Sequence, residues 1–278
     1  MKDAKQLKDL SKSLAASKNI SMDVILHTYM MERLLERIYK SKYKNNFIIK
    51  GGVLIASIFG LETRSTVDID AVIKSYPLTT ETITRAFEDI TKVDLGDGVS
   101  FEIFNIKTIR ESHIYQGYRI VFKISFDGIT VFVKTDVSAG DRVIPKEILY
   151  QYPLILEDRT IEISAYNVET ILAEKLETII SRSILNTRMK DFYDVYMLMR
   201  YRLDKVDRNI LLEAINTVFK NRDTHHLLPD VQSIASEIIE DVTIQERWKA
   251  YCKKYPYAKN LSWQEASSSL AELSNMII

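Results

Sequence analysis

Two carboxylates set two residues apart, Asp68 and Asp70, lie inside the apolar run Val67-Asp68-Ile69-Asp70-Ala71-Val72-Ile73. In an extended strand alternate side chains share a face, so both acids point one way while Val67, Ile69, Ala71 and Ile73 point the other. Such a pair suits Mg2+, a hard cation that takes carboxylate oxygens and keeps positions open for phosphate oxygens and water. Upstream, Lys50-Gly51-Gly52 follows the apolar Phe47-Ile48-Ile49. A short buried strand therefore meets two residues that let the backbone turn sharply and approach a ligand where a Cβ would obstruct. Residues 53–59 can form a short helix closed by Gly60, and free N–H groups at a helix start are an anion site. On this reading the glycine turn admits a triphosphate and the aspartates hold the metal. Arg64 and Ser65, in the loop between, are candidates to meet phosphate charge. The plain alternatives are a tight turn, a solvated strand face and a loop arginine with no ligand. The order of the features, with strand context on both sides, favours the chemical reading.

A glycine pair, a spacer and an Asp-x-Asp strand resemble the signature of the polymerase-β-like nucleotidyltransferase superfamily. The fuller form, Lys50-Gly51-Gly52 followed by Arg64-Ser65-Thr66-Val67-Asp68-Ile69-Asp70, is similar to the AbiEii/AbiGii-type toxin nucleotidyltransferases of type IV toxin–antitoxin systems. That resemblance implies a third carboxylate on a strand beside the first two, and Asp136, in Lys134-Thr135-Asp136-Val137-Ser138-Ala139-Gly140, is the candidate. It would complete the acid set around Mg2+, with two ions possible, and help a 3′-hydroxyl lose its proton as it attacks the α-phosphate. The other reading of Asp136 is the end of a strand before a loop.

The remaining sequence supplies the elements around these residues. Residues 4–16 form an amphipathic helix, and Ser21 is placed to cap a second one carrying Val24, Met31, Leu35 and Ile38, which ends in Lys40, Lys42 and Lys44. Pro77 and Thr79-Thr80 introduce a helix with Ile83, Phe87 and Ile90 on its apolar side. Strands follow at 100–108, 118–126 and 129–137, the last two joined by the two-residue hairpin turn Asp127-Gly128. Two short strands are expected at 154–156 and 160–163. From Asn167 the period is helical. The fold class expected is α+β: a nucleotidyltransferase domain with a mixed sheet over residues 1–163, and a helical domain over 164–278 closing the active-site cleft.

In the helical half, Lys175 borders or lies inside the stripe formed by Ile171, Leu172, Leu176 and Ile179, and Asp191 shares a stripe with Val195 and Leu198. A charge on an apolar face is costly unless it is paired or works on a ligand. Lys175 and Asp191 therefore read either as a salt bridge between adjacent helices or as functional groups. Their surroundings, AEKLETIISR and RMKDFYDVYML, resemble the C-terminal motifs of the AbiEii family. By that resemblance Lys175 would stabilise the triphosphate and Asp191 would take part in the active site, with Asp194 as its rival. Trp248 and Trp263 read as packing residues, and the adjacent His225 and His226 are given no metal. Tyr251, Lys253, Lys254, Tyr255, Tyr257 and Lys259 interleave bases and aromatics, which suits either a nucleic acid or a solvated helix end.

Composition bounds the rest. In 278 residues, 38 Lys and Arg balance 38 Asp and Glu, so no global basic field announces nucleic acid, and RNA would have to use a local patch. The single cysteine, Cys252, excludes an internal disulfide. The charged N-terminus lacks the apolar core of a signal peptide and no run is long enough to span a bilayer, so a cytoplasmic protein is expected. The resemblance implies an NTP as donor, RNA as acceptor at the 3′ end of tRNA, and an antitoxin from a neighbouring gene that makes no stable complex with the toxin. The rival readings are a nucleotidyltransferase for a small-molecule or protein hydroxyl and a non-catalytic nucleotide-binding module.

Overall fold

The computed structural model describes residues 1–109 and 117–277. The chain divides into two compact units. The first comprises Met1–Gly140 and Ile148–Ala165, the second Asp141–Glu147 and Tyr166–Ile278.

The first unit begins with α1 (Ala4–Lys18) and α2 (Met22–Lys40), followed by β1 (Phe47–Lys50), α3 (Gly51–Phe59), β2 (Asp68–Ile73) and α4 (Thr80–Thr91). Then come β3 (Ser100–Ile109), β4 (Gly117–Phe126), β5 (Ile129–Ala139), β6 (Ile148–Pro153) and β7 (Thr160–Ala165). The Asp3 side chain caps α1, Ser21 caps α2, and Thr79 caps α4 in a reciprocal box with Thr82, each satisfying N–H groups that a helix start leaves open. The seven strands form one sheet in the order β3-β4-β5-β2-β1-β7-β6. Only β2–β5 and β1–β7 run parallel, so the sheet is mixed and antiparallel from β3 to β5, as the sequence predicts.

One side of β3–β5 is packed. Phe122 lies against Phe87 of α4 and Phe126 against Tyr29 of α2, with ring centroids 5.0 and 6.5 Å apart. The other side carries the alternate residues, among them Thr130, Phe132 and Lys134, which are exposed. Helix α2 is unusual in burying charge. The Arg37 guanidinium donates to both Asp97 oxygens at 2.8 and 2.7 Å, and Arg159 donates to both Glu36 oxygens at 2.6 and 2.8 Å. These two-point contacts fix the loops at 97 and 159 to the helix with a geometry that lysine could not supply.

One expectation fails at the sheet edge. The strand expected at 154–156 is a turn, and the edge strand is β6, which ends at Pro153. Ile155 and Leu156 are apolar because they pack beside Ala15, Ile25, Ala56 and Leu61. The apolar run marks burial of a turn, not a ladder.

The second unit is helical: α5 (Val168–Arg182), α6 (Met189–Arg202), α7 (Arg208–Asn221), α8 (Val231–Glu240), α9 (Val242–Lys254) and α10 (Trp263–Asn275). Asn167, Asp207, Asp241 and Ser262 cap α5, α7, α9 and α10, the last as a capping box with Glu265. Trp248 and Trp263 are packing residues: their rings sit 5.8 Å apart, and their indole N–H groups donate to the carbonyls of Leu261 and Ile239. Tyr251, Tyr255 and Tyr257 pack on one another at 4.7–6.3 Å, with Tyr193 beside Tyr251 and Tyr257. They close a helix end and do not stand as separate platforms for bases. Among the described residues no helix is long and apolar enough to cross a membrane.

Candidate active site

Strand β1 ends at Lys50 and α3 begins at Gly51 with no residue between them. That junction needs glycine for two reasons. Gly51 has φ +69°, and a Cβ there would collide with Asp70 Oδ2. Gly52 sits so close to the loop that its Cβ would lie 2.8 Å from Thr66 Oγ1 and 3.3 Å from an Arg64 nitrogen. The glycine pair therefore makes room first for the site's own side chains. Gly51→Ala is expected to lose about 1–3 kcal/mol of stability and to displace Asp70. Gly52→Ala meets no positive φ and a less severe contact, with Thr66 Cβ at 3.1 Å, so it should cost less, and denaturant unfolding of the two variants checks this order.

The sheet register assembles the charges. Lys50 is opposite Asp70 between β1 and β2, Asp70 is opposite Asp136 between the parallel β2 and β5, and Asp136 is opposite Arg119 between β5 and β4. A row of four charges, cation–acid–acid–cation, crosses four strands. Asp68 lies on the same face of β2, one alternate position away and opposite Lys134. The row runs from the buried Lys50, 6% exposed, to Arg119, whose side chain is 44% exposed.

Arg119 was not among the residues singled out from sequence. Its Nε donates to Asp136 Oδ1 at 2.8 Å and its Nη2 to Asp136 Oδ2 at 2.7 Å. Those hydrogen bonds raise the Arg119 pKa above its ordinary value, with smaller upward contributions from the charges of Asp136, Asp68 and Asp70. The four groups thus form one electrostatic cluster. The DG hairpin held the missing signal, because its turn places Phe126 opposite Ile129 and the pairing then carries Arg119 to Asp136.

Of the loop candidates, Arg64 is buried at 4% exposure and its Nη1 donates to the Ser65 carbonyl at 2.5 Å, while Ser65 is half-buried. Lys50, Gly51, Gly52, Arg64, Asp68, Asp70 and Asp136 all belong to the first unit.

A divalent cation fits part of this arrangement. Asp68 and Asp70 share a face, and Asp68 Oδ1 is buried with no hydrogen-bond partner, an oxygen available to a ligand. Asp136, in contrast, has both oxygens engaged by Arg119. Among the described residues no group of three His, Cys, Asp or Glu side chains is disposed as a ready metal site. The pair Asp68 and Asp70 is the part of the acid set that suits a hard cation as it stands.

Lys175 and Asp191 meet in the second unit. Lys175 Nζ lies 2.5 Å from Asp191 Oδ1 and 2.9 Å from Asp194 Oδ2, and Arg188 Nε donates to Asp191 Oδ2 at 2.8 Å. Asp191 and Asp194 are 1% and 0% exposed. Burial pushes the Asp191 carboxyl up, but the charges of Lys175 and Arg188 outweigh it and hold the pKa below its ordinary value. The rivals Asp191 and Asp194 are thus two partners of one lysine.

The mixed sheet, with its helix-opening glycine pair beside an Asp-x-Asp strand and a third acid in register, defines a nucleotidyltransferase. The match of residues 33–269 to the family model "Nucleotidyl transferase AbiEii toxin, Type IV TA system" makes the assignment specific. The chain belongs to the AbiEii nucleotidyltransferase toxin family, and membership implies a nucleotide substrate and an antitoxin partner. Among solved structures, an H. pylori protein described as a "putative nucleotidyltransferase" shares the fold, with TM-score 0.50, 13% identity and coverage of 93% of this chain and 96% of that one. A second, JHP933 from Helicobacter pylori, aligns with TM-score 0.49 and 13% identity over 92% of both chains. No curated protein matches the chain.

Proposed function

We propose that this toxin transfers a nucleoside monophosphate from an NTP to the 3′-terminal hydroxyl of tRNA, in an Mg2+-dependent reaction that arrests growth in a toxin–antitoxin or phage-defence setting. The observation that carries the proposal is the register that sets Asp70 against Asp136 with Asp68 on the same face. The acceptor oxygen forms a bond to the α-phosphorus, the bond from that phosphorus to the β-bridging oxygen breaks, and pyrophosphate leaves. Mg2+, when bound, neutralises phosphate charge and lowers the pKa of the attacking hydroxyl. Asp68 and Asp70 would hold it.

Asp136 orients the acceptor hydroxyl and takes up its proton, while Arg119 fixes the carboxylate in place from the neighbouring strand. Gly51 keeps the start of α3 close to Asp70, where helix amides favour negative charge. The toxin works in the cytoplasm, where tRNA and NTP are found, and the antitoxin acts without a lasting complex.

The test is transfer of label from each of four α-labelled NTPs to total tRNA with Mg2+, beside separate pools of protein and small hydroxyl compounds. Label at the RNA 3′ end from one favoured NTP is the expected result. Label confined to another pool overturns the acceptor, and no transfer to any pool overturns the reaction.

A further inference from the structure

The outer face of β3–β5 runs without interruption from the acid row to a pair of exposed aromatic rings. Phe104 is 61% and Phe132 47% exposed, and their rings meet edge to face with centroids 5.2 Å apart. The pair exists because of a bulge. The pairing of β3 with β4 slips between Ile103 and Asn105, leaving Phe104 as the extra residue, and it turns onto the outer face beside Phe132. Two large apolar side chains set in water oppose the hydrophobic effect, and here neither is covered.

The charges around them are three lysines, one of them paired with Glu102. Lys134 lies between Phe132 and Asp136 on β5, and Lys107 stands directly opposite Arg119 at the end of the acid row. Arg119 is already paired with Asp136, and Lys107 stands exposed beside that pair. Lys123, opposite Phe132, is held at 3.1 Å from Glu102 and frames the rings. Asp136 lies four positions along β5 from Phe132, roughly 13 Å at about 3.3 Å per residue. About four nucleotides stacked at roughly 3.4 Å each span a similar length.

We propose that this face is a stacking platform for the single-stranded 3′ end of the acceptor RNA, with Phe104 and Phe132 under bases and Lys107, Lys134 and Arg119 along the phosphates. The assignment rests on the reading of RNA as acceptor. Flat rings with interleaved bases suit a sequence-tolerant single strand, because every base has a face to stack and every nucleotide a phosphate to neutralise.

The test uses a hairpin RNA with a four-nucleotide 3′ overhang, followed by fluorescence anisotropy against wild type, Phe104→Leu, Phe132→Leu, Phe132→Tyr, Lys107→Gln and Lys134→Gln. Each leucine variant keeps apolar bulk but loses the ring, and it should weaken binding about tenfold. The tyrosine variant should stay within about twofold of wild type. Each glutamine variant should flatten the plot of log K against log salt by about 0.7. Binding of Mg2+-NTP should not change in any of them, which also certifies their folding.

If wild type binds and labels the RNA while the leucine variants bind it equally well, the platform is overturned and the acceptor reading stands. If wild type neither binds nor labels RNA but labels a small hydroxyl compound, both fall. Loss of binding to the purified antitoxin in the leucine variants, with RNA binding intact, would reassign the face to a protein and overturn the proposal.

Discussion

Replacing Asp68 by asparagine is expected to lower nucleotidyl transfer by roughly a thousandfold, the size of effect seen when a preorganised charge that stabilises a transition state is removed. Stability should move little, and the reason lies in the free protein. Asp68 Oδ1 is buried with no hydrogen-bond partner, and a buried unsatisfied acceptor costs about 1–3 kcal/mol. The cost is carried by the unliganded protein and relieved when a cation or donor arrives. Asp68→Ala removes the acceptor altogether, so its melting temperature should equal or exceed that of wild type by a few degrees while transfer is lost. Added Mg2+ should raise the melting temperature of wild type and leave Asp68→Ala unmoved. A variant that melts far below wild type would show that Asp68 serves the fold, and the acid row would lose its standing as the reaction centre.

How far these residues could be read from sequence depends on the range of the interaction. The Asp68/Asp70 pair and the Gly51 turn are local: the period of a strand puts two acids on one face, and glycine at a strand–helix junction signals positive φ or close approach. The structure changes the partner of that approach, since the Gly51 Cβ would meet the Asp70 carboxylate as well as any ligand. Asp136 is a long-range fact. Its place beside Asp70 follows from a parallel pairing between strands more than fifty residues apart in the chain, and nothing in the local pattern encodes that choice. Family resemblance, not periodicity, pointed to it. Arg119 stands between these cases. The DG turn sets the register of β4 on β5, so an exposed arginine opposite the candidate acid was within reach of counting.

The error at 154–156 has the opposite origin. An isolated apolar triplet shows that side chains are buried, and it does not tell a ladder from a turn folded under α1 and α2. The bulge that exposes Phe104 was equally invisible, because bulges answer to sheet curvature and not to the alternation of the strand itself.

Lys175→Met is expected to give the largest loss of stability of any single substitution in the helical unit. Two carboxylates, Asp191 and Asp194, are buried at 1% and 0% exposure against one ammonium group. Removing the lysine takes away the ammonium that both buried carboxylates share, and breaking a buried ion pair from one side costs about 3–5 kcal/mol. For a chain of this size that corresponds to a fall in melting temperature on the order of 10 °C. The pH dependence fixes the cause. In wild type the Asp191 pKa is lowered, so its contribution is fully present above the unfolded value of about 3.9 and is lost as pH falls through the folded one. Without Lys175, burial and mutual repulsion dominate and the folded carboxyl pKa values rise.

The sign then reverses: Lys175→Met should be weakest at neutral pH and recover relative to wild type as the medium is acidified toward pH 5. The double variant Lys175→Met/Asp194→Leu, which removes one stranded charge with the lysine, should regain part of the loss. Thermal melts from pH 7 down to pH 4 read all three predictions. Transfer measured per folded molecule separates structure from chemistry. A loss that exceeds the unfolded fraction gives Lys175 a role at the nucleotide, and full activity per folded molecule makes the pair a strut. A variant that melts like wild type at every pH would remove the buried cluster as the organising contact between α5 and α6.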